Sequence, residues 1–195
     1  GLYKIEKDKM INFSNAFGID SKKILNVVYD KIKNVLYVGS NDKGIYEIRL
    51  DATIQYENFK NLSIVDFEIL DQSKFVLQNQ GISVLNSSDI ITATISLNDF
   101  KNFQSNYIKI HKTKCNTNYR ESRDFELNFN IKANEIVFYE LVKNKNSVWV
   151  GSNLGIFEMN SKAQIINYIP KHTLKIGFTS NHKFIETITY AGAYV

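Results

Sequence analysis

One cysteine, one proline, two methionines and three histidines are all that this 195-residue chain holds of those types. Each scarcity excludes something. The single thiol, Cys115, leaves no disulfide within the chain and no zinc site built from paired cysteines, and a lone cysteine without a neighbour of its kind reads as a small filler. With only Pro170 and 13% aromatic residues, no proline-rich linker or low-complexity tract is expected. No apolar run reaches the roughly 20 residues needed to cross a bilayer, and the start of the chain shows no basic-then-apolar leader. Direct membrane insertion of this segment is therefore not expected. The 24 basic and 20 acidic residues are interspersed, so a net charge of +4 creates no one-signed field, and nucleic acid is not an expected partner. The densest basic run, Lys109-Ile110-His111-Lys112-Thr113-Lys114, reads as a solvated strand edge guarded by lysines.

Catalytic chemistry is equally thin. His111, His172 and His182 show no His-x-x-x-His spacing, and neither a glycine-rich phosphate loop nor a nucleophile elbow is present. A metal-dependent lyase would need those three histidines to converge from separate segments. Arg120-Glu121-Ser122-Arg123-Asp124 reads as a charged loop with local pairing. The expectation is a non-catalytic chain with no catalytic residue, no metal ligand and no cofactor.

What is present is a repeat. Ile24 to Ile48 resembles Ile136 to Met159, and the interval from the first isoleucine to the first glycine, Gly39 or Gly151, is 15 residues in both. A second glycine followed by alternating strand-type residues recurs at Gly1, Gly44, Gly81, Gly155 and Gly192, with intervals of 43, 37, 74 and 37 residues. Since 74 is twice 37, one marker near Asn118 is read as lost within an irregular stretch from about Ile90 to Phe129. In the first full unit, period-2 patterning predicts strands over 24–29, 35–39 and 53–56, with a third strand starting after the Asn41-Asp42-Lys43-Gly44 turn. Four antiparallel strands per unit of about 40 residues is the arithmetic of a β-propeller blade. No sustained 3.6-residue apolar stripe stands out, so few helices are expected. The predicted fold is all-β: one domain over 1–195, a β-propeller segment of about five repeats and a partial ring of a larger propeller.

Leu36-Tyr37-Val38-Gly39-Ser40 followed by Gly44-Ile45-Tyr46, and Val148-Trp149-Val150-Gly151-Ser152 followed by Gly155-Ile156-Phe157, resemble the two-component regulator propeller repeat. Serine stands at Ser40 and Ser152 where that family usually has threonine, and Leu77-Gln78-Asn79-Gln80-Gly81 lacks the first glycine. The resemblance implies a periplasmic sensor module of a histidine kinase or hybrid two-component receptor, of which this chain is an excised part. A partial ring would expose the apolar faces of its terminal blades, so the remaining blades, or a second copy, are expected to cover them.

In such a blade the turn between the second and third strands lies on the same face as the loop leading to the next blade. That placement makes Asn41, Asp42, Asn79, Gln80 and Asn153 the candidate ligand-binding residues, with Lys43 beside them. Their amides and carboxylate suit a polar small molecule such as an oligosaccharide, or another protein; the same residue types also serve turn geometry. Tyr37 and Trp149 occupy equivalent strand positions and are expected to pack between blades. Phe100, Phe103 and Tyr107 form an aromatic group in the irregular stretch.

Overall fold

The computed structural model describes residues 1–21, 23–111, 131–170, 173–178, 185–189 and 192–194. The chain divides into two compact units, Gly1–Phe67 and Glu68–Val195.

The first unit opens with the hairpin β1 (Tyr3–Glu6) and β2 (Lys9–Asn12). Its two turn residues, Lys7 and Asp8, both have positive φ, the backbone that matches the twist of paired strands. A short helix, α1 (Phe13–Ala16), follows. Then β3 (Ile24–Asp30), β4 (Val35–Ser40), β5 (Ile45–Ile48) and β6 (Thr53–Gln55) form one four-stranded antiparallel sheet in chain order. The four expected strands of this unit are thus present, within a residue or two at their ends. Asp30 shapes the β3–β4 turn, its Oδ1 accepting from the amides of Ile32 and Lys33 at 2.9 and 3.1 Å.

The division between the units falls within β7 (Ile64–Leu70). The sheet that this strand begins continues with β8 (Ser73–Gln78), β9 (Gly81–Leu85) and β10 (Ile91–Ser96). In the second unit a helix, α2 (Leu97–His111), follows β10 directly. A further four-stranded sheet consists of β11 (Phe138–Asn144), β12 (Ser147–Ser152), β13 (Ile156–Asn160) and β14 (Ile165–Ile169). The last sheet has three strands, β15 (Lys175–Phe178), β16 (Ile185–Thr189) and β17 (Gly192–Tyr194).

The central hairpin carries the repeat in register: Val38 pairs with Tyr46, Val76 with Ser83 and Val150 with Phe157. The second glycine recurs for a physical reason. Gly44, Gly81 and Gly155 have φ of +80°, +136° and +143°, and a Cβ would lie 2.0 Å from the Phe59 carbonyl oxygen, 2.1 Å from that of Ile95 and 2.4 Å from the Tyr168 ring respectively. Chain arriving from the fourth strand fills the space a side chain would need. Packing between successive sheets uses the expected aromatics. Tyr37 stacks on Phe67 of β7 at 5.2 Å, and Trp149 meets Phe178 of β15 edge-on at 5.5 Å.

Three expectations are corrected. First, the stretch read as irregular from about Ile90 is regular at its start, where β10 completes its sheet, and departs from the blade pattern only from Leu97, where α2 occupies 97–111. Its inward positions are Phe100, Gln104, Tyr107 and Ile108, a helical stripe disguised by a glutamine at its centre. The marker expected near Asn118 lies outside the described residues. Second, the basic run at Lys109 is not a strand edge, because Lys109, Ile110 and His111 end α2; 112–114 fall outside the described residues, as do Cys115, 120–124, His172 and His182. Third, the equal 15-residue intervals do not mark equivalent positions. Ile24 pairs with Ser40 whereas Phe138, not Ile136, pairs with Ser152, because four residues join β3 to β4 and two join β11 to β12.

Candidate functional site

In the first unit the turn between β4 and β5 is rigidly built. The Ser40 hydroxyl donates to the Gly44 carbonyl at 2.9 Å and accepts from the Lys43 amide at 3.0 Å. Ser152 repeats the arrangement, donating to Gly155 O at 2.7 Å and accepting from the Leu154 and Gly155 amides. Serine at these positions is therefore a turn clamp. The turn is tied to the chain ahead of β3: Asn41 N donates to Lys23 O at 3.0 Å, Ser21 Oγ donates to Asp42 Oδ1 at 2.6 Å, and Lys43 Nζ pairs with Asp20 Oδ2 at 3.1 Å. Tyr46, buried at the root of β5, donates its hydroxyl to Asp20 Oδ1 at 2.5 Å.

The result is a polar cluster of exposed Asp20, Asn41 and Asp42 with half-buried Lys43, on a buried base of Ser21 and Tyr46. Both signs of charge are present, which suits a neutral polyhydroxylated ligand better than a strongly charged one. The Tyr46 hydroxyl, and after it the Lys43 ammonium, hold the Asp20 carboxyl below the usual carboxylate range. Burial, and then Asp20 itself, push the Tyr46 phenol above the usual tyrosine range. A carboxyl depressed in the folded state contributes stability above its unfolded pKa and loses it as pH falls through the folded value. The first unit is accordingly expected to lose stability on acidification below about pH 4, and Asp20→Asn to flatten that dependence. A midpoint series in urea from pH 6 to pH 3 would show it; parallel curves for the two proteins would contradict it.

In the second unit Asn153 sits in the β12–β13 turn, as expected, but both ends of its amide are engaged. Oδ1 accepts from Val137 N and Nδ2 donates to Glu135 O, each at 2.9 Å. It pins the segment that leads into β11. Asn79 and Gln80 form the two-residue turn between the paired Gln78 and Gly81; both are exposed and neither makes a hydrogen bond to another described residue. Every candidate thus lies in a turn between second and third strands. Asn41 and Asp42 join one polar cluster, Asn79 and Gln80 stand open, and Asn153 braces the fold. Among the described residues no group of three or more His, Cys, Asp or Glu is placed to hold a metal.

Patterning did not point to a second feature of this unit. A cleft of about 410 Å³ lies between β10, the outer face of α2 and the β13–β14 turn, lined by Thr94, Asp99, Asn102, Phe103, Asn106 and Ile165 among others. Helix α2 is started by a reciprocal cap: Ser96 N and Oγ both donate to Asp99 Oδ2, at 2.7 and 2.6 Å, and Asp99 N donates to Ser96 Oγ at 3.3 Å. The inner face of α2 is anchored by Phe100, fully buried and edge-on to Phe138 and Phe157 at 5.0 and 4.9 Å. Beside it Gln104 donates to the Tyr168 hydroxyl at 3.1 Å, and that hydroxyl donates to Leu154 O at 2.7 Å. The signal available in the sequence was Ser96-x-x-Asp99 ahead of apolar residues three and four apart.

No protein-family model matches the chain. Over 154 residues, 77% of its length, it is 24% identical to the triosephosphate isomerase of Mycoplasmopsis pulmonis (strain UAB CTIP), of which it spans 59%. The barrel typical of that enzyme has eight parallel strands, each followed by a helix, whereas the strand pairings described here are antiparallel. Among solved structures, the extracellular domain described as that of the hybrid two-component system BT4673 from B. thetaiotaomicron matches with a TM-score of 0.56 at 13% identity, covering 90% of this chain and 20% of that one. The computationally designed Ika4 protein matches at 0.53 and 11%, covering 90% and 91%. The Neurospora crassa Pan2 WD40 domain matches at 0.50 and 7%, covering 85% and 43%. Identities this low show the fold alone. It is that of an all-β propeller with blades of four antiparallel strands.

Proposed function

We propose that this chain is a non-catalytic recognition module of a two-component receptor, placed in the periplasm, that binds a polar ligand such as an oligosaccharide on the turns between second and third strands. The observation that carries the reading is the cluster of Asp20, Asn41, Asp42 and Lys43, in which Tyr46 and Lys43 hold the Asp20 carboxylate and Ser21 holds that of Asp42 before any ligand arrives. Preorganised polar groups on a rigid turn lower the ordering cost of binding. Asn79 and Gln80 offer amides of the same kind, while Asn153 contributes by holding its own turn in place. The likeness to an extracellular domain of a two-component system supports the receptor setting.

Recognition of another protein, or of further blades or a second copy, is the alternative. One observation favours it: Leu25, Val27 and Tyr29 alternate along β3 and are 40%, 44% and 52% exposed, whereas Leu141, the counterpart of Val27 in β11, is buried. A thermal-shift series with neutral oligosaccharides separates the two. A saturating ligand at a hundred times its Kd stabilises by about 2.7 kcal/mol, a rise of several degrees. Asp42→Ala and the Asn79→Ala, Gln80→Ala pair should reduce that rise. If no sugar moves the melting temperature, or the variants respond like the parent, the ligand reading is wrong.

A further inference from the structure

We infer that the cleft beside α2 is a second recognition site, which takes an extended, non-acidic peptide segment of a partner protein. The inference does not depend on the ligand proposed for the turn face. Asn102 and Asn106 lie one helical turn apart on the outer face of α2; both are exposed, and neither side chain makes a hydrogen bond to another described residue. Side chains four apart on a helix stand about 5–6 Å from each other, close to the ~6.6–6.8 Å between alternate residues of an extended chain. Each amide carries a donor and an acceptor, which are the two groups that one peptide unit presents.

The rest of the lining fits a peptide. Between the two amides in sequence is Phe103, half-buried, facing the same cleft as Ile165 from β14, over a floor that includes the buried Ile95. That is an apolar seat for one side chain flanked by backbone-reading groups. Asp99 lies at the same cleft, with Oδ2 held by Ser96, and its charge disfavours an acidic occupant. The helix wall is firm, since Phe100 and Gln104 fix its inner face within the unit. At about 410 Å³ the cleft falls within the ~300–1,000 Å³ range of ligand sites.

The test is selection from an unbiased phage-displayed library of dodecapeptides on the full 195-residue chain, followed by fluorescence anisotropy with the selected peptides. The expected result is enrichment of sequences with one apolar residue in a non-acidic setting. Affinity should fall at least tenfold in Asn102→Ala, Asn106→Ala, with a comparable loss in Phe103→Ala. Alanine favours helix more than asparagine does, so an unchanged melting temperature of the double variant separates lost binding from lost folding. Failure to enrich any peptide, equal binding by the double variant, or capture of a glycan through Asn102 and Asn106 in a parallel glycan array would each overturn the inference.

Discussion

Replacing Gly44 by alanine should destabilise the first unit by about 3 kcal/mol or more, a large part of the ~5–15 kcal/mol that holds a domain together. Two costs combine. Alanine at φ +80° gives up about 1–2 kcal/mol of backbone preference, and its Cβ would stand 2.0 Å from the Phe59 carbonyl oxygen. That is backbone, not a side chain able to rotate away, so the chain after β6 must move, and overpacking of this kind costs about 1–3 kcal/mol. Gly18 is the internal control. It too has positive φ, +64°, but nothing lies within 4 Å of its would-be Cβ, so Gly18→Ala should cost only the conformational part. Urea denaturation of both variants decides the matter: equal losses would mean that the recurring glycine marks a flexible turn and not a close approach of chain.

Phe100→Ala should destabilise the second unit by about 3–5 kcal/mol. Its ring is fully buried between Phe138 and Phe157, one from each of two strands in the same sheet. Truncation removes both edge-to-face contacts and leaves a cavity under the first turns of α2. Because isolated helices of this length are marginal in water, α2 should fray together with the loss of packing. Amide exchange over 97–111 would accelerate and the denaturation midpoint would fall. Phe103→Ala, three residues on but facing the cleft, should cost much less. Similar losses from the two substitutions would contradict the assignment of inner and outer faces of α2.

The central hairpins were legible because two independent signals agree there: period-2 patterning, and turn chemistry that demands glycine at a fixed place. Gly44, Gly81 and Gly155 recur because chain from the fourth strand lies against each of them, so the sequence marker and the packing constraint are the same thing. Helix α2 was hidden by Gln104, a polar residue in a fully buried position whose partner, Tyr168, is 64 residues away. The doubled 37-residue interval marked the gap as an irregular segment without showing that a helix, α2, begins it. Turn lengths misled in a similar way. A β3–β4 connection two residues longer than that of β11–β12, offset by a strand that begins two residues later, left the isoleucine-to-glycine interval unchanged. At the candidate site, placement in the turns was readable but roles were not. Asn153 and Asn79 look alike in sequence, yet one spends both ends of its amide on Glu135 and Val137 and the other makes no hydrogen bond to a described residue. The difference depends on which segment runs alongside the turn.

The most direct test of this architecture is a set of cross-strand nuclear Overhauser contacts in isotope-labelled protein at three equivalent pairs: Val38 with Tyr46, Val76 with Ser83, and Val150 with Phe157. Antiparallel blades in a common register predict close contacts at all three, together with helical amide–amide contacts along 97–111. A parallel pattern at any of the pairs, or the same contacts displaced by one residue in one repeat, would show that the glycine-marked units are not equivalent blades.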